Sequence, residues 1–95
     1  MVVAVVRLTL RIPENQSLKE KRRVLKQLIE RTRNRFGISI AETAHMDQHQ
    51  SAEIGMACVG NDRRVVNSVL DKAAAYIESL QTALITGHEL EIVNL

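Results

Sequence analysis

The chain has one cysteine, one proline, no tryptophan and only two aromatic side chains, Phe36 and Tyr76, among 95 residues. A single thiol, Cys58, excludes an internal disulfide and the Cys-x-x-Cys pair that small metal-carrier domains require. Cys58 reads instead as a small apolar residue of a strand. Both aromatics fall in stretches of helical spacing, so no strand offers the stacking platform of an RNA-recognition module. There is no phosphate-cradling glycine loop and no dinucleotide fingerprint. The segment after the first apolar stretch, "RIPENQS", does not resemble the glycine-rich anion loop of an acylphosphatase. The opening run "MVVAVV" is too short to cross a bilayer and has no basic stretch before it. A cytoplasmic location without membrane contact is therefore expected, as is a single domain over residues 1–95 that carries no cofactor.

What is present is strong periodicity. Val2, Ala4, Val6, Leu8, Leu10 and Ile12 alternate with Val3, Val5, Arg7, Thr9 and Arg11, which predicts a strand with one dry face. Pro13 ends it, and "PENQ" turns the chain. Ser17 and Glu20 have the spacing of a capping box, and Gly37 suits a helix C-cap. Between them Leu18, Leu25, Leu28, Ile29, Thr32 and Phe36 recur at helical intervals, predicting a helix over 18–36. Ile38 and Ile40 point inward in a second strand (38–43). Ala52, Ile54, Met56 and Cys58 do so in a third (52–59), which pairs with the second as a hairpin. Asn61 is the expected cap of a second helix (62–80) built on Val66, Val69, Leu70, Ala73, Ile77 and Leu80. The tail from Thr82 reads as a fourth strand. Gly87 within it suggests a bulge, which leaves the facing of Ile85 and His88 open.

The order β-α-β-β-α-β, with right-handed crossovers, predicts an α+β ferredoxin-like sandwich. Two helices would cover one face of a four-stranded antiparallel sheet. On the other face Val3, Val5, Gly55, Ala57 and Val59 would form an apolar patch, and Glu89 and Glu91 could offset Arg7 and Arg11. Such a face is a poor phosphate groove and a fair protein interface. A homodimer using Val3, Val5, Ala57 and Val59, or an adjacent strand edge, is expected.

Charge is unevenly placed. Residues 17–36 hold eight of the 13 Lys and Arg residues and two acids, a balance of +6, leaving −4 for the rest of a chain of net charge +2. On a helical wheel Lys19, Arg22, Arg23, Lys26 and Arg33 fall on one flank, interrupted only by Glu30. Lys21 and Arg35 fall within the apolar arc near opposite ends, where long stems can snorkel to water. A purely structural helix more usually mixes signs, and Arg suits bidentate phosphate contact. The five-residue stripe is therefore the candidate nucleic-acid contact. In the connection "HMDQHQ", His45, Asp47 and His49 would share a direction if the chain were extended there. These residue types suit a divalent ion. Three neighbours in a hairpin tip are not pre-organised, so no metal is expected. His88 reads as a strand residue.

Taken together, "RIPENQSLKEKRRVLKQLIERTRNRFGISIAE", "DQHQSAEIGMACVGND" and "VVNSVLDKAAAYIE" resemble the YlxP-like family of small uncharacterised bacterial proteins. The most distinctive parts are "SLKEKR" and the hairpin pattern of Asp47, Gln50, Ala52, Glu53 and Gly55. The resemblance spans nearly the whole chain. It implies the same ferredoxin-like fold and a bacterial cytoplasmic protein without an established activity or known catalytic residues. It also implies a gene neighbourhood shared with a translation initiation factor and a ribosome-binding factor. Many relatives carry Trp in the hairpin where this chain has His49. The expectation is a non-enzymatic domain that contacts RNA or the ribosome through Lys19, Arg22, Arg23, Lys26 and Arg33. The alternative is a dimeric interaction or regulatory module acting through the open sheet face.

Overall fold

The computed structural model describes residues 1–13 and 17–95. The turn expected across "PENQ" therefore lies, at residues 14–16, outside the described residues. The elements run β1 (Val2–Arg11), α1 (Leu18–Phe36), β2 (Ser39–Ala44), β3 (Ser51–Gly60), α2 (Arg63–Ser79) and β4 (Leu84–Asn94). The strands form one antiparallel sheet in the order β2-β3-β1-β4, the ferredoxin-like arrangement that the sequence predicts. β1 and β3 lie at the centre, and β2 and β4 form the two edges.

The alternation of β1 decides the layering. Val2, Ala4, Val6, Leu8 and Leu10 are buried, whereas Val5, Arg7 and Arg11 are exposed. Ala52, Ile54 and Met56 of β3 and Ile40 of β2 join the buried side. Helix α1 adds Leu25 and Leu28, and α2 adds Val66, Leu70, Ala73, Ala74 and Ile77. Burial of this continuous apolar layer, at about 25 cal/mol per Å² of apolar surface, drives the fold.

Helix α1 begins where its sequence signal places it. The Ser17 hydroxyl accepts the Glu20 N–H at 3.1 Å. It ends at Gly37, whose left-handed φ of 61° returns its N–H to the Arg33 carbonyl; a residue with a Cβ would be strained in that conformation. Thr32 is buried without penalty because its hydroxyl donates to the Leu28 carbonyl at 2.7 Å. The cap of α2 is Asp62, not Asn61: its Oδ1 accepts the Arg64 N–H at 2.8 Å. Gly60 still pairs with Val2, so Asn61 is consumed in leaving the sheet. Replacing Asp62 with Ala should cost about 1 kcal/mol, readable as a lower urea midpoint at unchanged m-value.

The expected bulge in β4 is present. Thr9 pairs with Gly87 and Leu10 with Ile85, leaving Thr86 as the extra residue. This settles the two uncertain side chains. Ile85 and His88 are both on the helix-bearing face, opposite Leu10 and Leu8 respectively, because the extra residue resets the alternation between them.

Candidate nucleic-acid interface

Two anchors fix how α1 is turned. On the wheel its buried residues Lys21, Leu25, Leu28 and Thr32 occupy one narrow arc. On one side of that arc Arg35 reaches α2, its guanidinium 4.9 Å from the Tyr76 ring centre and 5.9 Å from that of Phe36. The two rings meet edge to face at 5.7 Å. So the only aromatics of the chain form a clasp between the helices, with Arg35 held there by cation–π attraction. On the other side Arg33 donates from Nη2 to the Ile40 carbonyl of β2 at 2.8 Å. The basic flank therefore faces the β2 edge of the sheet, away from α2.

Lys19, Arg22, Arg23 and Lys26 are all exposed on that flank. Among the described residues no carboxylate pairs with any of the four. Like charges one turn apart, such as Lys19 with Arg23 and Arg22 with Lys26, cost a few tenths of a kcal/mol each. Among the described residues no ion pair repays that cost. Arg33 stands apart from these four, since part of its donor set is committed to β2.

Lys21 corrects the snorkelling expectation. It is 1% exposed, its Nζ donates to the His45 carbonyl at 2.5 Å, and it lies 3.1 Å from Glu42 Oε2. That oxygen makes no aligned hydrogen bond, so the contact to Glu42 is one of charge and the directional bond goes to the carbonyl. A signal was available in the sequence. Glu42 continues the inward alternation of Ile38 and Ile40, and Lys21 sits in the middle of the helix's dry arc. A charge at an inward position requires a counter-charge, although the alternation does not say which residue supplies it.

The connection between β2 and β3 is not extended. His45 has a left-handed φ of 63°, and its carbonyl also accepts the Gln48 N–H. His45, Asp47 and His49 therefore do not share a direction. Among the described residues no three His, Cys, Asp or Glu side chains gather where a metal ion could be held. His45 Nδ1 lies 3.2 Å from Ser51 Oγ and 3.3 Å from Gln48 Oε1. Both partners meet the same ring nitrogen, so this is not a nucleophile–base–acid relay, which uses the two nitrogens separately.

The open face carries the apolar residues anticipated there. Val3 is directly opposite Val59, and Val5 opposite Ala57. Val93, opposite Val3 on the other side, extends the row; it was hidden from pattern reading by the bulge. A polar bar crosses all four strands above this patch. Thr43 Oγ1 donates to Glu53 Oε2 at 2.5 Å, Glu53 Oε1 is 3.4 Å from Arg7 Nε, and Arg7 Nη1 is 3.6 Å from Glu89 Oε1. Arg7 is offset by Glu89 as expected, and by Glu53 as well. Gly55 makes room for the bar: a Cβ there would stand 2.8 Å from Thr43 Cγ2. The bar forms part of the lining of a shallow hollow of about 520 Å³, together with Val5, Ala41, Gly55, Ala57 and Glu91.

Cys58 is half-buried, and its thiol is directed at the Val66 carbonyl at 3.5 Å. Burial raises its pKa by disfavouring the thiolate. Alkylation in the folded protein at neutral pH should be much slower than after unfolding. Equal rates measured with a chromogenic thiol reagent would contradict this placement.

The family described as "Protein of unknown function (DUF503)" matches residues 3–90. The chain is 40% identical, over 63 residues, to "Uncharacterized protein YlxP" of Bacillus subtilis (strain 168); the match spans 66% of this chain and 68% of that protein. Among solved structures, "Structural Genomics, protein YJCS" superposes with a TM-score of 0.62 at 15% identity, covering 97% of this chain and 99% of that one. "De novo designed protein Foldit4" gives 0.56 at 12% identity, covering 100% and 99%. At such identities these likenesses speak to the fold alone.

Proposed function

The chain belongs to the DUF503 family, and from that premise we propose that it is a small non-enzymatic domain that associates with RNA, in the setting of the ribosome, through one flank of α1. The observation that carries this reading is the group Lys19, Arg22, Arg23 and Lys26. All four are exposed and none is paired with a carboxylate of the described residues. They span two helical turns, about 10 Å along the axis at 1.5 Å per residue, and their long side chains splay far enough for each to meet a phosphate of a single strand. Contact of this kind is electrostatic and reads little sequence. Arg33 contributes at the margin, because its bond to Ile40 holds it against the sheet edge.

Sedimentation with ribosomal subunits tests the reading directly. The chain should pellet with a subunit at low salt and be released as salt is raised. A chain that stays in the supernatant at every salt concentration, and binds no isolated ribosomal RNA, ends the proposal. The second reading, a dimeric regulatory module, is favoured by the apolar row on the open face. Docking through that row would be nearly indifferent to loss of charge on α1.

A further inference from the structure

The open face has a shape as well as a composition. Along β1 it presents Val3, Val5 and Arg7, and across the ladder β3 presents Val59, Ala57 and Gly55. Going up the sheet, the β1 residues stand tall while those of β3 shrink from valine to alanine to glycine. Ala41 of β2, opposite Gly55, continues the low ground. By side-chain size the face is thus a ridge along β1 beside lower ground over β3 and β2; the hollow of about 520 Å³ takes in that low ground and extends across Val5 and Arg7 to Glu89 and Glu91 of β4.

We propose that the occupant of this face is a second copy of the chain, with the ridge of each copy seated on the low ground of the other. A two-fold axis running along the strands between β1 and β3 produces this arrangement. It places Val3 over Val59, Val5 over Ala57 and Arg7 over Gly55 of the second copy, and the same contacts in reverse. Sheets stack about 10 Å apart; Val5 over Ala57 and Arg7 over Gly55 are large-over-small pairs that interdigitate across such a gap, and Val3 meets Val59 at one end of the stack.

Charge favours a copy over a foreign partner. The face holds Arg7 and Arg11 against Glu53, Glu89 and Glu91, close to neutral, and Arg7 is already offset within the chain. A strongly acidic or basic partner would gain little here, whereas a second near-neutral face meets no repulsion. In the stacked pair each Arg7 comes within reach of the Glu53 of the other copy. The area is sufficient but not large. Four strands about 4.8 Å apart and about eight residues long present roughly 500 Å² of sheet per copy. That places the pair near the lower bound of specific interfaces, so dissociation should be measurable. The proposal does not depend on the RNA reading.

Sedimentation equilibrium of the full chain at tens to hundreds of micromolar is the test. The expected mass is twice 10.7 kDa at the upper end. Ala57→Arg fills the low ground and should give a monomer with an unchanged far-ultraviolet spectrum. Val59→Lys, at a position 65% exposed and so tolerant in the monomer, should weaken association by about tenfold or more, and decides the matter if Ala57→Arg does not fold. Arg22, Arg23 and Lys26 changed together to Ala should leave dimerisation intact. A monomeric parent chain throughout this range overturns the proposal. So does a dimer unaffected by either open-face variant, since the contact would then lie elsewhere, for example along the β4 edge.

Discussion

Replacement of Lys21 by Ala is expected to lower the stability of the fold by about 3–5 kcal/mol, the usual cost of removing one partner from a buried ion pair. Three losses combine. The Glu42 carboxylate, whose side chain is 20% exposed, loses the cation 3.1 Å from its Oε2. The His45 carbonyl loses a 2.5 Å bond. The apolar stem of Lys21, 1% exposed, leaves a void between α1 and the sheet. For a domain of this size each kcal/mol moves Tm by about 4–8 °C, so a fall on the order of 15–30 °C should be seen by calorimetry. The partial access of Glu42 to water places the expected value nearer the lower end.

A second variant separates the ion pair from its volume. Lys21→Met with Glu42→Leu replaces both charges by apolar groups of similar size, and should recover most of the loss, because charge desolvation disappears together with the attraction. The His45 carbonyl remains without its lysine in both variants. The turn it anchors, which also holds the Gln48 N–H, should therefore exchange amide hydrogen faster even where global stability returns. A Lys21→Ala protein with an unchanged urea midpoint would mean that Lys21 is not buried in solution.

The other large effect concerns binding. Arg22, Arg23 and Lys26 changed together to Ala should reduce affinity for single-stranded RNA by about 100-fold at 0.1 M salt, since each phosphate contact contributes about 0.7 to the slope of log K against log salt. Four contacts give a slope near −2.8 and one leaves about −0.7. Fluorescence anisotropy across a salt series reads both quantities. Stability should hardly change, because exposed substitutions away from special features stay within about 0.5 kcal/mol, and relief of the Arg22–Lys26 repulsion works slightly in favour. Arg33→Ala should behave in the opposite way. Its bond to Ile40 ties α1 to β2, so stability falls by about 1 kcal/mol with a smaller effect on binding. Binding lost without stability at three positions, and stability lost with little binding at a fourth, is a pattern that a merely solvated helix face does not produce. An unchanged salt slope in the triple variant would remove α1 as the phosphate contact.

Much of this molecule was legible from spacing alone. The alternation from Val2 to Ile12 and the helical repeat from Leu18 to Phe36 each define a buried face through local geometry. Ser17 and Gly37 mark the ends of α1 for equally local reasons, and the bounds of that helix agree with the sequence signal to the residue. The flank holding Lys19, Arg22, Arg23 and Lys26 needed only the 100° step of a helix.

What spacing could not supply was which face meets which. Lys21 and Glu42 are 21 positions apart, and only the packing of α1 beside β2 makes one the counter-charge of the other. The bar from Thr43 through Glu53 and Arg7 to Glu89 takes one residue from each strand. Its existence depends on strand order and register, which no single segment encodes. The bulge at Thr86 decided where Val93, His88 and Ile85 point, and the left-handed backbone at His45 removed the shared direction of His45, Asp47 and His49. The sequence by itself determined the elements, their dry sides and the grouping of charge on α1, because these follow from periods of two and 3.6 residues. The tertiary structure decided the partners of those charges, because pairing across strands and helices is set by apposition between segments distant in the chain.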